Sequence, residues 1–210
     1  MRYLPGQYAR ICLPKGDPLL LPIANCPCEP NYLEFHLPLS VYNSWALTGV
    51  TAGSGTTRLR PRERISIDGP YGNFTINDSQ KSENSVRGQT YLIALGEGFA
   101  AVKPLLEHIM TLDNDTPCTL IWIATDTVSQ YKNNLCRSWA DAFDCITYQS
   151  LASIELFTEE KITSLGISLY GVEIYISGER HLQQSIKSLL LSAGIDRQSI
   201  HDDTTCLSTI

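Results

Sequence analysis

Gly96 and Gly98 stand two residues apart at the end of an almost wholly apolar run, residues 91–95, and a helix-patterned segment begins directly behind them. A strand that ends in a glycine turn and feeds a helix places free backbone N–H groups at the carboxyl end of a sheet, where they can hold a nucleotide phosphate. Glu97 lies between the glycines. A carboxylate there complements the helix dipole but repels a pyrophosphate, so the turn reads either as a nucleotide site or as a tight turn whose anion position the protein fills itself.

Other chemistry-bearing residues are scattered. Cys26 and Cys28 form a C-x-C pair with no second pair downstream at metal-site spacing, and seven cysteines in all fit reduced thiols better than a disulfide framework. No metal site is expected. His36 alternates with apolar residues and is read as exposed, His108 is placed on a solvated helix face, and His181 at the start of the last helix. None has a carboxylate partner readable from spacing, which argues against histidine-based hydrolysis.

The elements that must position these residues follow from periodicity. Residues 7–13 and 32–37 read as strands, the second with Leu33, Phe35 and Leu37 alternating against Glu34 and His36. The Pro-rich bend between them excludes a helix and demands an irregular connection or an edge strand. Residues 39–47 read as a short helix, 51–57 as a loop, and 64–68 as a strand ending at Gly69 and Pro70. Beyond the polar stretch 77–89 the pattern alternates. Strands at 91–95, 118–124, 146–148 and 172–176 interleave with helices at 99–110, 129–141, 158–165 and 181–193, the last closed by Gly194. In the first helix Val102, Leu105, Leu106 and Ile109 form the apolar stripe, and Lys103, Glu107 and His108 are assigned to solvent. Such alternation implies a parallel sheet. The fold expected is two-domain: a small antiparallel β-barrel over residues 1–80, then an α/β Rossmann-like domain over 81–210.

With 210 residues and 43% hydrophobic content the chain can bury real cores. Its net charge of -6 argues against a nucleic-acid partner. The one basic cluster, Arg58, Arg60, Arg62 and Arg64, alternates with other residues and reads as a solvated face. No run is long and apolar enough to span a bilayer, and Pro5 sits where a signal peptide needs an apolar core, so a cytoplasmic protein is expected.

Taken in order, these pieces resemble the ferredoxin-NADP reductase superfamily, in particular flavin reductases and the reductase modules of oxygenase systems. The resemblance runs through Pro5, Gly6, Gln7 and Tyr8, through Gly69, Pro70, Tyr71, Gly72, Asn73 and Phe74, through Leu95 to Phe99, and through Ser177 and Gly178. Asn25 continues it in Ile23-Ala24-Asn25-Cys26-Pro27. The resemblance implies FAD or FMN held by the small domain and NAD(P)H brought by the α/β domain, meeting in a cleft between Gly72 and Gly178. It implies cofactor-binding roles for Gly6, Gln7, Tyr8, Asn25, Tyr71, Gly72, Asn73, Phe74, Gly96, Gly98, Ser177 and Gly178. Ser177 would lie near the nicotinamide or simply end a strand, and Tyr71 and Phe74 would face the flavin or fill the barrel core. Asp126 would favour NADH over NADPH, or Asp126 or Thr127 would cap a helix.

Departures from the family pattern carry their own expectations. Where it has the flavin signature R-x-Y-S, this sequence has Leu19, Leu20, Leu21 and Pro22, which removes a phosphate-pairing arginine, a ring-stacking aromatic and a hydroxyl donor. The family turn G-G-T-G becomes Leu95, Gly96, Glu97 and Gly98. Family barrels also begin two strands before P-G-Q-Y, about 25 to 30 residues at ordinary strand and turn lengths. Those strands would lie outside this sequence, come from a partner chain, or be replaced by association along the open edge, unless the start site itself differs. The leading expectation is a flavin-dependent electron-transfer oxidoreductase that moves reducing equivalents from NAD(P)H to a separate redox partner. The alternative is a catalytically silent subunit or scaffold of the same architecture; a nucleotide-binding regulatory module using Gly96 and Gly98 is a third reading.

Overall fold

The computed structural model describes residues 1–12, 18–28, 31–37, 64–76, 88–112, 116–125, 130–167 and 171–203. Two sheets organise them. In the first, β1 (Tyr8–Cys12), β2 (Leu19–Pro22) and β3 (Ser66–Tyr71) pair antiparallel in the order β2-β1-β3. Proline lacks a ladder donor, and Pro22 ends β2 on the sheet edge, opposite Tyr8 of β1. The strand expected to stop at Gly69 instead runs through a cis Gly69–Pro70 peptide to Tyr71.

The second sheet is all parallel, with β4 (Gln89–Leu95), β5 (Cys118–Ile123), β6 (Ile146–Leu151), β7 (Val172–Ser177) and β8 (Ile200–Asp202) in the order β6-β5-β4-β7-β8. Its helices are α1 (Phe99–Thr111), α2 (Asn133–Ala142), α3 (Glu159–Ser164) and α4 (Arg180–Ser192). Strand side chains alternate between faces, so every central strand feeds two cores. Leu92, Ala94, Leu120 and Trp122 face one way and pack with Phe99, Val102, Leu105 and Leu106 of α1; Tyr8 and Phe74 of the small lobe complete that cluster. Ile93, Leu95, Ile121, Ile174 and Ile176 face the other way, against Ile162 of α3 and Ile186 and Leu190 of α4. The expected fold class, a small antiparallel domain followed by a Rossmann-like parallel-sheet domain, is the architecture found.

Three local expectations change. Residues 32–37 form no ladder strand. Asn25 captures that segment instead, its Oδ1 accepting from Glu34 N–H at 2.9 Å and its Nδ2 donating to Tyr32 O at 3.2 Å. Second, Lys103 is not on the wet face. It is 4% exposed, donates through Nζ to Ala24 O at 2.7 Å, and pairs with Glu34 at 3.0 Å and Glu107 at 2.7 Å. His36, expected in solvent, accordingly turns inward: it bonds Glu34 at 2.8 Å and Tyr131 at 2.7 Å and stacks on Phe99. A buried ammonium needs carboxylates, and that demand overrides the apolar alternation. Third, the short strand β8 was not anticipated.

The helix over 39–47, the loop over 51–57, Arg58, Arg60 and Arg62, Asp126, Thr127 and most of the expected domain boundary lie outside the described residues. Among the described residues no helix is long and apolar enough to cross a membrane.

Candidate functional site

The parallel sheet changes direction of growth at β4. Its neighbours β5 and β7 are reached by crossovers to opposite sides, and such a switch point leaves a crevice beyond the carboxyl ends of the strands. Leu95 ends β4 and Ser177 ends β7, with Ala94 and Ser177 in register. The turn Gly96–Gly98 is one turn of 3-10 helix leading straight into α1. Gly96 takes φ +53°, and its carbonyl accepts from Trp122 Nε1 at 2.9 Å, while the Trp122 ring stacks on Phe99 with centroids 3.8 Å apart.

Beyond these ends lies a cavity of about 240 Å³. Leu95, Glu97, Gly98 and Thr125 line it from the β4 and β5 ends, Ser177, Gly178 and Glu179 from the β7 end, and Tyr8 and Pro22 from the small lobe, with Asp203 completing the wall. The two strand ends touch so closely that side chains are excluded between them. A Cβ on Gly98 would fall 2.0 Å from Ser177 O, and one on Gly178, at φ +142°, would fall 2.5 Å from Leu95 Cβ.

Asp203 is the polar hub. Its Oδ2 accepts from Tyr8 Oη at 2.7 Å and from Ser177 Oγ at 2.5 Å, and its Oδ1 accepts from Gln183 Nε2 at 2.5 Å. The same Gln183 amide donates to Gly178 O at 2.6 Å, fixing the start of α4. Burial drives the Asp203 pKa above the ordinary aspartate value, and the hydrogen bonds from Ser177, Tyr8 and Gln183 pull it back only in part. The neighbouring Asp202 is held by Lys187 of α4. Burial, and then the charge of Glu179, raise the Glu97 carboxyl.

Of the twelve residues that the resemblance assigns to cofactor binding, the cavity gathers four, Tyr8, Gly98, Ser177 and Gly178, and Pro22, Leu95 and Glu97 line it beside them. The other eight do not line it. Gly96 shapes the turn. Gln7 donates to Gly72 O at 3.0 Å, so Gly72 meets the cavity only through the residue beside Tyr8. Gly6 packs against Phe74 O and Leu105, and Asn25 braces residues 24–34. Phe74 is buried against Tyr175, its ring edge-on at 5.8 Å, so it fills the core between the lobes. Tyr71 bonds Asp68 and lies under Arg10, and Asn73 is exposed, its carbonyl accepting from Thr75 N–H.

Sequence reasoning missed Asp203, Glu179 and Thr125. Asp203 follows a three-residue strand too short to register as a period, and only its place beside β7 brings it to Tyr8 across 195 positions. A local signal did exist for Glu179, which directly follows the Ser177-Gly178 pair.

No protein-family model matches the chain. It is 32% identical over 139 residues to an NAD(P)H-flavin reductase of Vibrio harveyi, a match covering 66% of this chain and 55% of that protein. The chain thus spans little more than half the length of this relative. Among solved structures it superposes on a cytochrome P450 reductase of Amycolatopsis with TM-score 0.74 at 16% identity, over 96% of this chain and 60% of that one. It also superposes on ferredoxin-NADP+ reductase of Plasmodium falciparum with TM-score 0.69 at 15% identity, over 96% of this chain and 83% of that one. The sequence match to a flavin reductase and the shared arrangement of a small antiparallel sheet against a five-stranded parallel one agree: this chain has the fold of the ferredoxin-NADP+ reductases and is similar in sequence to NAD(P)H-flavin reductases.

Proposed function

We propose that the chain is the reducing half of a flavin-dependent oxidoreductase, passing reducing equivalents from NAD(P)H through FAD or FMN to a separate acceptor. The observation that carries this reading is the cavity at the switch point, where Tyr8 and Pro22 of one lobe face Ser177, Gly178 and Asp203 of the other. Both the flavin reductase relative and the P450 reductase neighbour, by their names, are reductases, and the second serves another protein.

The fit is to rings rather than to phosphates. A cavity of about 240 Å³ admits a planar ring system with its substituent, not a whole dinucleotide. Its floor is glycine backbone, and its walls carry the hydroxyls of Tyr8 and Ser177. No Lys or Arg is among the described residues that line it. A flavin phosphate would therefore be held elsewhere, in keeping with Leu19 at the position where the family has its phosphate-pairing arginine. When bound, the flavin supplies the hydride-accepting and electron-delivering chemistry.

The protein's own residues supply orientation. Tyr8 Oη and Ser177 Oγ commit their protons to Asp203, which leaves the Ser177 hydroxyl to accept from an amide such as the nicotinamide carboxamide. Gly98 and Gly178 keep the strand ends bare of side chains, so a ring can approach the backbone. Gly6, Gln7, Asn25, Tyr71, Gly72, Asn73, Phe74 and Gly96 act behind this surface, holding the small lobe and the turn in place.

Titration of riboflavin, FMN and FAD, followed by flavin fluorescence and by the thermal midpoint of the protein, tests the proposal. Saturable quenching with an upward midpoint shift for at least one of them is expected. Absence of both effects at millimolar flavin would contradict it.

A further inference from the structure

We infer that Glu97 and Glu179 set the redox-state preference of this pocket, so that it holds the positively charged, oxidised nicotinamide ring more tightly than the neutral, reduced one. The inference rests on the reading above, that a nicotinamide ring enters the cavity.

The cavity wall carries three carboxylic side chains, Glu97, Glu179 and Asp203, and no Lys, Arg or His among the described residues lining it. Basic side chains nearby are engaged outside it. Lys187 is paired with Asp202, and His181 Nδ1 lies 3.5 Å from Glu179 Oε2. Glu97 and Glu179 follow the carboxyl ends of neighbouring strands, Glu97 in the turn after β4 and Glu179 just after β7. Burial, and then the charge of Glu179, raise the Glu97 carboxyl. Two exposed carboxylates with no lining cation make a field that favours positive charge and disfavours phosphate.

That field has a defined consequence for hydride transfer. A dihydronicotinamide is uncharged at the ring; when its C4–H bond breaks and the hydride, one proton with two electrons, passes to the flavin, the ring becomes a pyridinium of charge +1. Carboxylates fixed beside it stabilise the product ring and the charge growing in the transition state, while contributing little to the reduced ring. The phosphates of the dinucleotide are the same in both redox states, so their repulsion by Glu97 and Glu179 cancels in the ratio of the two affinities.

The test is the ratio of dissociation constants, Kd(NADH)/Kd(NAD+), measured by equilibrium titration at low and high salt for the wild type, Glu97→Gln, Glu179→Gln and the double variant. Both side chains are exposed, so the isosteric amides leave folding undisturbed. Each single change should lower the ratio about threefold and the double change about tenfold, with the difference shrinking at high salt. Glu97→Lys should lower it further. A ratio unchanged within twofold in the double variant, while both ligands still bind, would overturn the inference and leave the proposed function standing. Failure of the wild type to bind either dinucleotide would instead overturn the proposed function, and the inference with it.

Discussion

His36 carries its proton on Nε2, because its partner there, the Glu34 carboxylate, can only accept; Nδ1 then accepts from the Tyr131 hydroxyl. Burial, helped by the positive charges of Lys103 and Lys132, holds its pKa below the usual histidine value despite the pull of Glu34. The sign of the pH effect follows. The unfolded chain protonates this ring as pH falls through about 6.5, whereas the folded protein resists until lower pH, so the stabilisation present above that point is lost on acidification. Denaturant unfolding at pH 7 and pH 5 should show a fall in stability for the wild type that is smaller in His36→Gln. An equal fall in both would show that His36 is not the titrating group. Sequence could not foresee this residue's role. Alternation with Leu33, Phe35 and Leu37 pointed it at solvent, and only the burial of Lys103, 67 positions away, explains why the polar side chains of that segment turn inward.

Among the elements, the stretch from β4 through Gly98 into α1 was the most legible, since an unbroken apolar run, two glycines and a 3.6-residue stripe all agree there. What sequence left hidden is why Gly98 must be glycine. Its amide sits in the turn, but the constraint comes from β7, whose Ser177 carbonyl occupies the space a Cβ would need. Gly98→Ala should therefore force the two strand ends apart and cost about 2 to 4 kcal/mol, read as a lowered denaturation midpoint. Gly166→Ala, at φ +67° with nothing within 4 Å of its added Cβ, meets backbone strain alone and should cost only about 1 kcal/mol. Similar losses at the two sites would remove the case for close packing at the cavity. β8 escaped notice for a different reason: three residues are too few for a period, although they deliver Asp203 to the site.

At the scale of the molecule, the lobes are joined by packing, by the Tyr8–Asp203 hydrogen bond and by an ion cluster around the buried Lys103. Phe74 and Tyr8 enter the core beneath the parallel sheet, and Lys103 of α1 ties Ala24 O and Glu34 to Glu107. Burial raises the Glu107 carboxyl, while hydrogen bonds from His36 and Lys103 outweigh burial at Glu34 and lower it. Lys103→Met keeps the aliphatic stem but strands both carboxylates and should cost about 3 kcal/mol; adding Glu34→Gln and Glu107→Gln should recover most of that loss. If the triple variant were no more stable than the single one, the cost would lie in packing instead. The two-lobed architecture was readable from the order of motifs, because glycine turns and strand patterns survive local substitution. Cofactor contacts were less readable: the residues at 19–22 have changed chemistry while Pro22 still lines the cavity.

The central claim, that this cavity brings a nicotinamide and a flavin together for hydride transfer, is tested most directly by mixing the protein anaerobically with NADH and each flavin and following the flavin absorption band. Bleaching should be first order in protein and slowed at least tenfold by Glu179→Trp, which narrows the cavity from the β7 end at an exposed position. Bleaching no faster than in protein-free solution, with every flavin and with both NADH and NADPH, would contradict it.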